Sequence, residues 1–367
     1  MSTPPLLRIE DLRTYFYSRV KQAFVRSVDG VDLEVARGET LGIVGESGSG
    51  KSVTMLSAMG LVTATPGVIS GRVTFHDEQA HELLDGLDNL VTVQRAGERI
   101  LSVTKDNRAW NARSARNLRS VRGGKIAMIF QNPKAAMNPY ETVGYQIAEA
   151  VRLHTEYKSA AQARQRALYW LEQVHIDSPR LRYDNYSYGL SGGMCQRAMV
   201  AMALAAEPRM LIADEPTTGL DATIQARIVD LLDDLKARLG MTMVLISHDM
   251  GVIARLSDRI AVMYGGRVME SGPAREVLDA DAVGHPYTRA LLASTPSEKN
   301  ITAEGRLPAI EGEVLDTINV PRGCRFCARC QRITAEVRTL CETQEPELLQ
   351  VGPGRRIRCW LYQERTV

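Results

Sequence analysis

No stretch of this chain approaches the ~20 consecutive apolar residues that a membrane-spanning helix requires, although 44% of its residues are apolar and a full core is expected. A surplus of either charge is also missing. Lys and Arg number 45 against 43 Asp and Glu, which removes the wholesale attraction to nucleic acid or anionic lipid that a basic protein would have. The opening residues, MSTPPLLRIEDLR, lack a basic region followed by an apolar run, so no secretory signal is expected. There is no repeat of solenoid period. Cysteine is nearly absent before position 324, where Cys195 stands alone; the other five, Cys324, Cys327, Cys330, Cys341 and Cys359, crowd the end. These absences point to a chain soluble by itself and cytoplasmic, where clustered thiols argue for a metal or cluster site over disulfides. At 367 residues it has room for one large domain and a smaller one.

What is present reads as an α/β order. Residues 7–44 alternate apolar and polar, the pattern of an antiparallel edge region. ETLGIVG is a short strand running into a Gly-rich loop, and KIAMIFQ (125–131) is a buried-type strand. Between them, residues 76–125 are polar and Arg-rich with weak periodicity, the mark of a solvated loop or helix, with a nucleic-acid or headgroup patch at NRAWNARSARNLRSVRGGK as the alternative. Helical spacing fills 141–180. RMLIADEP (209–216) and TMVLISHD (242–249) are apolar runs ending in acid or His, as parallel strands do when their tips carry chemistry. DRIAVMYGGRVMESG is a closing hairpin turned at Gly265-Gly266.

GESGSGKS (45–52) fits G-x-x-x-x-G-K-[ST] directly after a strand, the context that motif requires. Gly45, Gly48 and Gly50 let the backbone curl so that successive N–H groups, with those of Ser47, Ser49 and Val53, face phosphate. Lys51 reaches the outer phosphates and the Ser52 hydroxyl ligates Mg²⁺. At the next strand tip Asp214 is suited to hold Mg²⁺ through its waters, and Glu215 to align and polarise an attacking water. His248 ends the neighbouring strand and is placed for the terminal phosphate. Gln131 ends IAMIF in the same way, within reach of Mg²⁺ or the water, before a turn-rich loop, NPKAAMNP.

A second anion-binding helix start stands at Ser191-Gly192-Gly193, inside LSGGMCQR (190–197). One nucleotide needs only one cradle. In this order, the cradle, Gln131, the Ser-Gly-Gly step, Asp214-Glu215, GLD (219–221) and His248 resemble the ATP-binding-cassette (ABC) ATPases over roughly residues 7–270. The resemblance implies a P-loop NTPase core of ABC type with an antiparallel β edge, a helical subdomain over about 132–200 and a polar insertion over about 76–125. Residues 1–272 would form the ATPase domain and 273–367 a small cysteine-rich extension. It further implies that two such domains pack head to tail, so that Ser191, Gly192 and Gly193 cap the γ-phosphate held by the partner's cradle, and Asp221, at the ordered turn of GLD, is a further nucleotide-binding residue. An aromatic near the N-terminus would stack on adenine, Phe16 matching best and Tyr15 close behind. The loop after Gln131 would receive a membrane partner.

GIVGESGSGKSVT, IAMIFQNPKAAMNP and GHPYTRALLAS, with the terminal GCRFCARC and two further cysteines, look like the ATPases of oligopeptide, dipeptide and nickel importers. Some members of that branch hold a [4Fe–4S] cluster at this tail, which would give Cys324, Cys330, Cys341 and Cys359 as ligands. Cys327 occupies a position that is usually not cysteine, so it competes for a ligand place. Read alone, Cys324, Cys327 and Cys330 form a C-x₂-C-x₂-C run of ferredoxin type, and a Cys₄ zinc site meets similar requirements. Cys195 replaces the usual Arg within the signature. The function implied is ATP hydrolysis coupling two permease subunits and, indirectly, an extracytoplasmic binding protein, at the cytoplasmic face of the inner membrane. The paired ATPase is either a second copy or a related chain. Peptide import leads, with nickel or another solute as the variant within the branch. The other classes are a non-transport ABC ATPase acting on nucleic acid or ribosomes, and a redox or metal switch built on the tail.

Overall fold

The alternation in the first 35 residues folds as two long antiparallel strands, β1 (Leu7–Ser18) and β2 (Ala23–Val35). The computed structural model of the chain describes residues 4–97, 99–279, 282, 284–295 and 308–363. β3 (Thr40–Val44) is buried at every position and passes through the Gly-rich loop into α1 (Lys51–Ala58). β4 (Pro66–His76) and the short β5 (Ala80–Glu82) follow.

The stretch 76–125 departs in part from the solvated loop or helix expected of it. Asn107–Leu118 is a mostly exposed helix, α2, but β6 (Val91–Ala96) and β7 (Arg99–Lys105) form a two-stranded hairpin. Its alternate residues Val91, Val93, Ile100 and Val103 pack with Tyr15 and Ile69, so the hairpin gains a core by covering one face of β1 and β4. Lys105 ties it down, donating to the carbonyls of Pro66 (2.7 Å) and Val68 (3.1 Å) with its ammonium 3.5 Å from the Trp110 ring centre. Two short alternating runs split by a polar turn leave too little period-2 signal to read in the sequence.

Next come β8 (Ile126–Ile129), α3 (Pro133–Ala136), α4 (Val143–His154), α5 (Ala160–Gln173), α6 (Pro179–Tyr183), α7 (Gly192–Leu204) and β9 (Met210–Asp214). α8 (Ala222–Leu239), β10 (Thr242–Ile246), α9 (Met250–Leu256), β11 (Arg259–Tyr264), β12 (Arg267–Pro273) and α10 (Ala274–Val277) follow. The chain closes with α11 (Pro286–Ala293), α12 (Arg338–Thr343), β13 (Leu349–Gly352) and β14 (Arg355–Ile357).

These elements divide into two compact units. The first takes the chain up to Val35, then Leu41–Asn117, then everything from His248. In it β5, β4, β1 and β2 form an antiparallel sheet, and β11 runs parallel to β3 from Arg259 opposite Leu41 to Val262 opposite Val44. The β11–β12 hairpin turns at Gly265-Gly266, both at positive φ, as read from the sequence. β12 then pairs with β14, and β14 with β13. C-terminal strands therefore continue the array that carries the Gly-rich loop. Glu270 in β12 is fully buried and accepts from Arg355 Nη2 (2.6 Å) and Nε (3.1 Å), a pairing that a buried carboxylate requires.

The second unit, Ala36–Thr40 with Leu118–Ser247, is built on the parallel strands β8, β9 and β10 in that order, with helices α3 to α8. β9 and β10 are buried at all five positions each, as near-continuous apolar runs in parallel sheets are. Among the described residues no helix is long and apolar enough to cross a membrane.

Candidate nucleotide site

β3 delivers the chain to Gly45, where a Cβ would stand 2.2 Å from the Met263 carbonyl oxygen. One on Gly50 would stand 2.3 Å from the Ser27 carbonyl oxygen. Only glycine lets the loop thread between β2 and β11 at both ends, and Gly50 is left-handed (φ 100°) where it starts α1. Ser49 N–H donates to the Glu46 carbonyl (3.2 Å) and Gly266 N–H to that of Ser49 (3.0 Å), closing the turn. Lys51 is buried, with Nζ donating to the carbonyls of Gly45 (2.8 Å) and Glu46 (3.0 Å). Its ammonium thus lies folded back on the loop. Ser47 and Gly48 are exposed at the tip, and Ser52 and Val53 are half-buried in the first turn of α1.

β1 separates the two aromatic candidates. Successive strand residues face opposite sides. Thr14 Oγ1 meets Ser57 Oγ of α1 at 2.7 Å, so Phe16 shares the face that looks toward the loop's helix, and it is half-buried. Tyr15 lies on the other face, fully buried, its hydroxyl donating to Asp29 Oδ1 at 2.5 Å. Tyr15 is committed to the core. His248, in the same unit, is exposed just before Asp249, whose side chain caps α9 through Gly251 and Val252 N–H.

In the second unit Asp214 is the buried last residue of β9. Glu215 follows in a left-handed conformation (φ 46°), unusual for a residue with a Cβ. Its N–H donates to the Ile246 carbonyl (2.9 Å), and its Oε2 accepts from Gln131 Nε2 (2.9 Å) and Thr218 Oγ1 (2.8 Å). The structure thus brings Gln131 and Glu215 together, a contact the sequence did not give. Asn132 caps α3 by accepting from Ala135 N–H (3.2 Å), so the turn-rich loop after Gln131 opens with a helical turn.

Ser191 is the N-cap of α7, its hydroxyl accepting from Met194 N–H at 3.3 Å. A Cβ on Gly193 would come within 2.9 Å of Ile224 in α8, whose own N-cap is Asp221. The two helix starts, with Ser191, Gly192, Gly193 and Asp221, line one open cleft of about 620 Å³. Cys195 points the other way, fully buried, its thiol donating to the Ser187 carbonyl (3.1 Å), so the substitution for Arg leaves the cleft unobstructed.

A family model described as ABC transporter matches residues 28–218, which span the loop, Gln131, the Ser-Gly-Gly helix start and the acid pair. The chain belongs to the ABC transporter family. A second model, described as the oligopeptide/dipeptide transporter C-terminal region, matches residues 269–336 of this ABC ATPase. A probable peptide ABC transporter ATP-binding protein of Sinorhizobium fredii is 41% identical over 98% of this chain and 96% of its own length. The oligopeptide transport ATP-binding protein AppD of Bacillus subtilis is 38% identical over 99% and 98% respectively. A dimeric post-hydrolysis structure of the ATP-binding cassette MJ0796 with ADP and phosphate shares the fold, with TM-score 0.57 at 24% identity, over 73% of this chain and 99% of that one.

The ABC ATPase carries its C-terminal thiols in one small pocket, lined by Cys324, Cys327, Cys330, Cys341 and Cys359 together with His285 and Phe326. All six cysteines are free. Burial pushes the Cys324 thiol up to about 12, with repulsion from Cys359, Cys341 and Cys330 adding to it. Burial likewise takes Cys359 to about 12, with Cys330 and Cys341 contributing, and Cys341 to about 11, with Cys327 and Cys330 contributing. Each of Cys324, Cys330, Cys341 and Cys359 therefore lies in electrostatic reach of the other three. The interactions of Cys327 run to Cys330 and Cys341. Among the described residues no group of three or more His, Cys, Asp or Glu side chains is arranged to hold a metal ion, so the expected cluster ligands draw no support from this geometry.

Residues the sequence did not flag complete the first unit. Arg325 and Arg329, set between the cysteines, reach out of that segment. Arg325 Nη2 donates to Asp29 Oδ2 (2.6 Å), and Arg329 forks onto the Glu46 carboxylate (2.7 and 3.1 Å). Two arginines spaced within GCRFCARC were the available signal, overshadowed by the thiols.

Proposed function

We propose that this ATPase is the energy-coupling subunit of an importer for di- or oligopeptides, bound to two permease subunits at the cytoplasmic face of the plasma membrane. The match of residues 269–336 to the oligopeptide/dipeptide transporter C-terminal region carries this reading. Relatives named for peptide transport, alike along nearly the whole chain, support it.

Gly45 and Ser47 to Val53 cradle the triphosphate of ATP, Lys51 leaving its two carbonyls for the outer phosphates, and Ser52 is a Mg²⁺ ligand. Phe16 is the adenine platform, a role supported by its face of β1 and by the burial of Tyr15. In the second unit Asp214 and Gln131 serve Mg²⁺, and Glu215 aligns the attacking water. The two donors on Glu215 Oε2 fix that carboxylate's direction for its work on the water. His248 contacts the terminal phosphate. The cleft at Ser191, Gly192, Gly193 and Asp221 is open to an anion from outside the chain, which supports a partner cassette's nucleotide as its occupant. ATP then acts as glue between cassettes, and hydrolysis removes it.

Cys324, Cys330, Cys341 and Cys359, which line one pocket, are the residues that would hold a [4Fe–4S] cluster, and a zinc ion would make a similar demand on four thiols. When bound, such a cluster supplies a covalent crosslink of the extension and a redox-active group.

Reconstitution with its permease and binding protein tests the function. Accumulation of labelled peptide that requires ATP is expected; uptake of nickel with no peptide uptake would overturn the solute assignment.

A further inference from the structure

Glu46, second residue of the phosphate loop, is held at three points. Its N–H donates to the Tyr287 hydroxyl (2.9 Å), its carbonyl accepts from Lys51 Nζ (3.0 Å), and both carboxylate oxygens accept from Arg329. The last is a bidentate fork, the strongest and most directional of ordinary ion pairs. The Arg329 side chain is 4% exposed and that of Glu46 22%, so water screens the pair little. Arg329 is itself fixed, with Nε donating to the Glu311 carbonyl (3.0 Å) and Nη2 to that of Ile310 (3.2 Å). Its guanidinium also lies 5.7 and 5.9 Å from the ring centres of Tyr264 and Phe326.

Two of these three anchors come from the C-terminal region, Tyr287 on α11 and Arg329 in the cysteine segment. The Glu46 N–H is turned to Tyr287 and so is not one of the groups free to meet phosphate. What residue 46 contributes is the course of the loop behind Gly48 to Ser52. When Lys51 swings to the phosphates, its bond to Glu46 is given up and the other two anchors remain.

We propose that Arg329, assisted by Tyr287, is a positioning residue for ATP: by clamping Glu46 it holds the phosphate loop in its binding shape, which makes the C-terminal region part of the nucleotide site. This rests on reading residues 45–53 as the ATP cradle. A loop held in shape before binding loses less conformational freedom on binding. That gain is the same for bound ATP and for the transition state, so the clamp acts on KM and not on kcat.

The test uses the full-length chain and ATP, with steady-state hydrolysis and direct ATP binding measured on R329Q, R329K, E46A, Y287F and the R329Q/E46A pair. R329Q is expected to raise KM and the dissociation constant about tenfold, with kcat within about twofold, and to lower the melting temperature as loss of a nearly buried ion pair does. E46A should match it, and the pair should be no worse than either single change, since both break one contact. R329K should recover part of the loss, and Y287F should cost about threefold in KM. Unchanged KM in R329Q, effects of R329Q and E46A that multiply, or a fall in kcat at constant KM would overturn the proposal. Should R329Q not fold, E46A and Y287F carry the same test at the other side of the contacts. Lys51→Ala is the separate control. If it binds ATP normally, the cradle reading fails, and not the clamp.

Discussion

Replacing Arg325 by Met should destabilise the protein by about 3 kcal/mol at neutral pH. The side chains of Arg325 and Asp29 are 2% and 3% exposed and meet at 2.6 Å, so the change strands a buried carboxylate. Breaking such a pair costs about 3–5 kcal/mol. The lower end applies because Asp29 keeps Arg13 Nη1 (2.8 Å) and the Tyr15 hydroxyl (2.5 Å). Arg325 also gives up the Gly265 carbonyl and Glu345. The expected fall in melting temperature is about 5–10 °C. The acid dependence follows from the same contacts. Burial alone would raise the Asp29 pKa, but Arg325, with Tyr15 and Arg13, outweighs it and holds the carboxyl well below the usual range. An unfolded aspartate titrates near about 3.9. As pH falls below that value the unfolded chain takes up the proton first, so the stability contributed by folded Asp29 is full at neutral pH and lost into acid. R325M removes the largest charge that depresses this pKa. Its deficit against the wild type should therefore shrink between about pH 6 and pH 3. Urea titrations of both proteins across that range measure it; a deficit under about 1 kcal/mol, or one constant with pH, would refute the reasoning.

Glu215→Gln should keep ATP binding and reduce hydrolysis at least 100-fold while trapping a closed pair of cassettes, roughly the contribution of a general base; normal turnover would remove Glu215 from the role. Ser191→Arg fills the helix-start cleft and should abolish ATP-dependent pairing with little change in the protein's own ATP affinity, checked by light scattering alongside nucleotide titration. Cys324→Ser or Cys359→Ser should eliminate visible absorbance and bound iron and sulfide, whereas Cys327→Ser should retain them. A colourless wild type containing zinc would exclude the cluster.

The nucleotide motifs were legible because each is local: a Gly-rich loop after a strand, an acid pair at a strand tip, a helix start after Ser. The core strands β3, β8, β9 and β10 and the β11–β12 hairpin with its Gly265-Gly266 turn were legible for the same reason, their period and turn chemistry lying within a few residues. Contacts between distant segments were not. Nothing near Gln131 announces Glu215, 84 positions away, and nothing near Glu46 announces Arg329, 283 positions away. The 91–105 hairpin was hidden because its apolar residues gain meaning only against Tyr15 and Ile69. Which face of β1 carries Tyr15 and its Asp29 bond was not readable either, since only pairing with β2 and β4 sets it.

The most direct measurement is the structure of an ATP-loaded Glu215→Gln complex with its paired cassette. Shared nucleotide predicts a γ-phosphate within hydrogen-bond distance of Lys51 Nζ from one subunit and of the Gly192 and Gly193 N–H groups from the other. A bound triphosphate touched by one subunit alone, in a complex whose wild-type form transports at full rate, would contradict it.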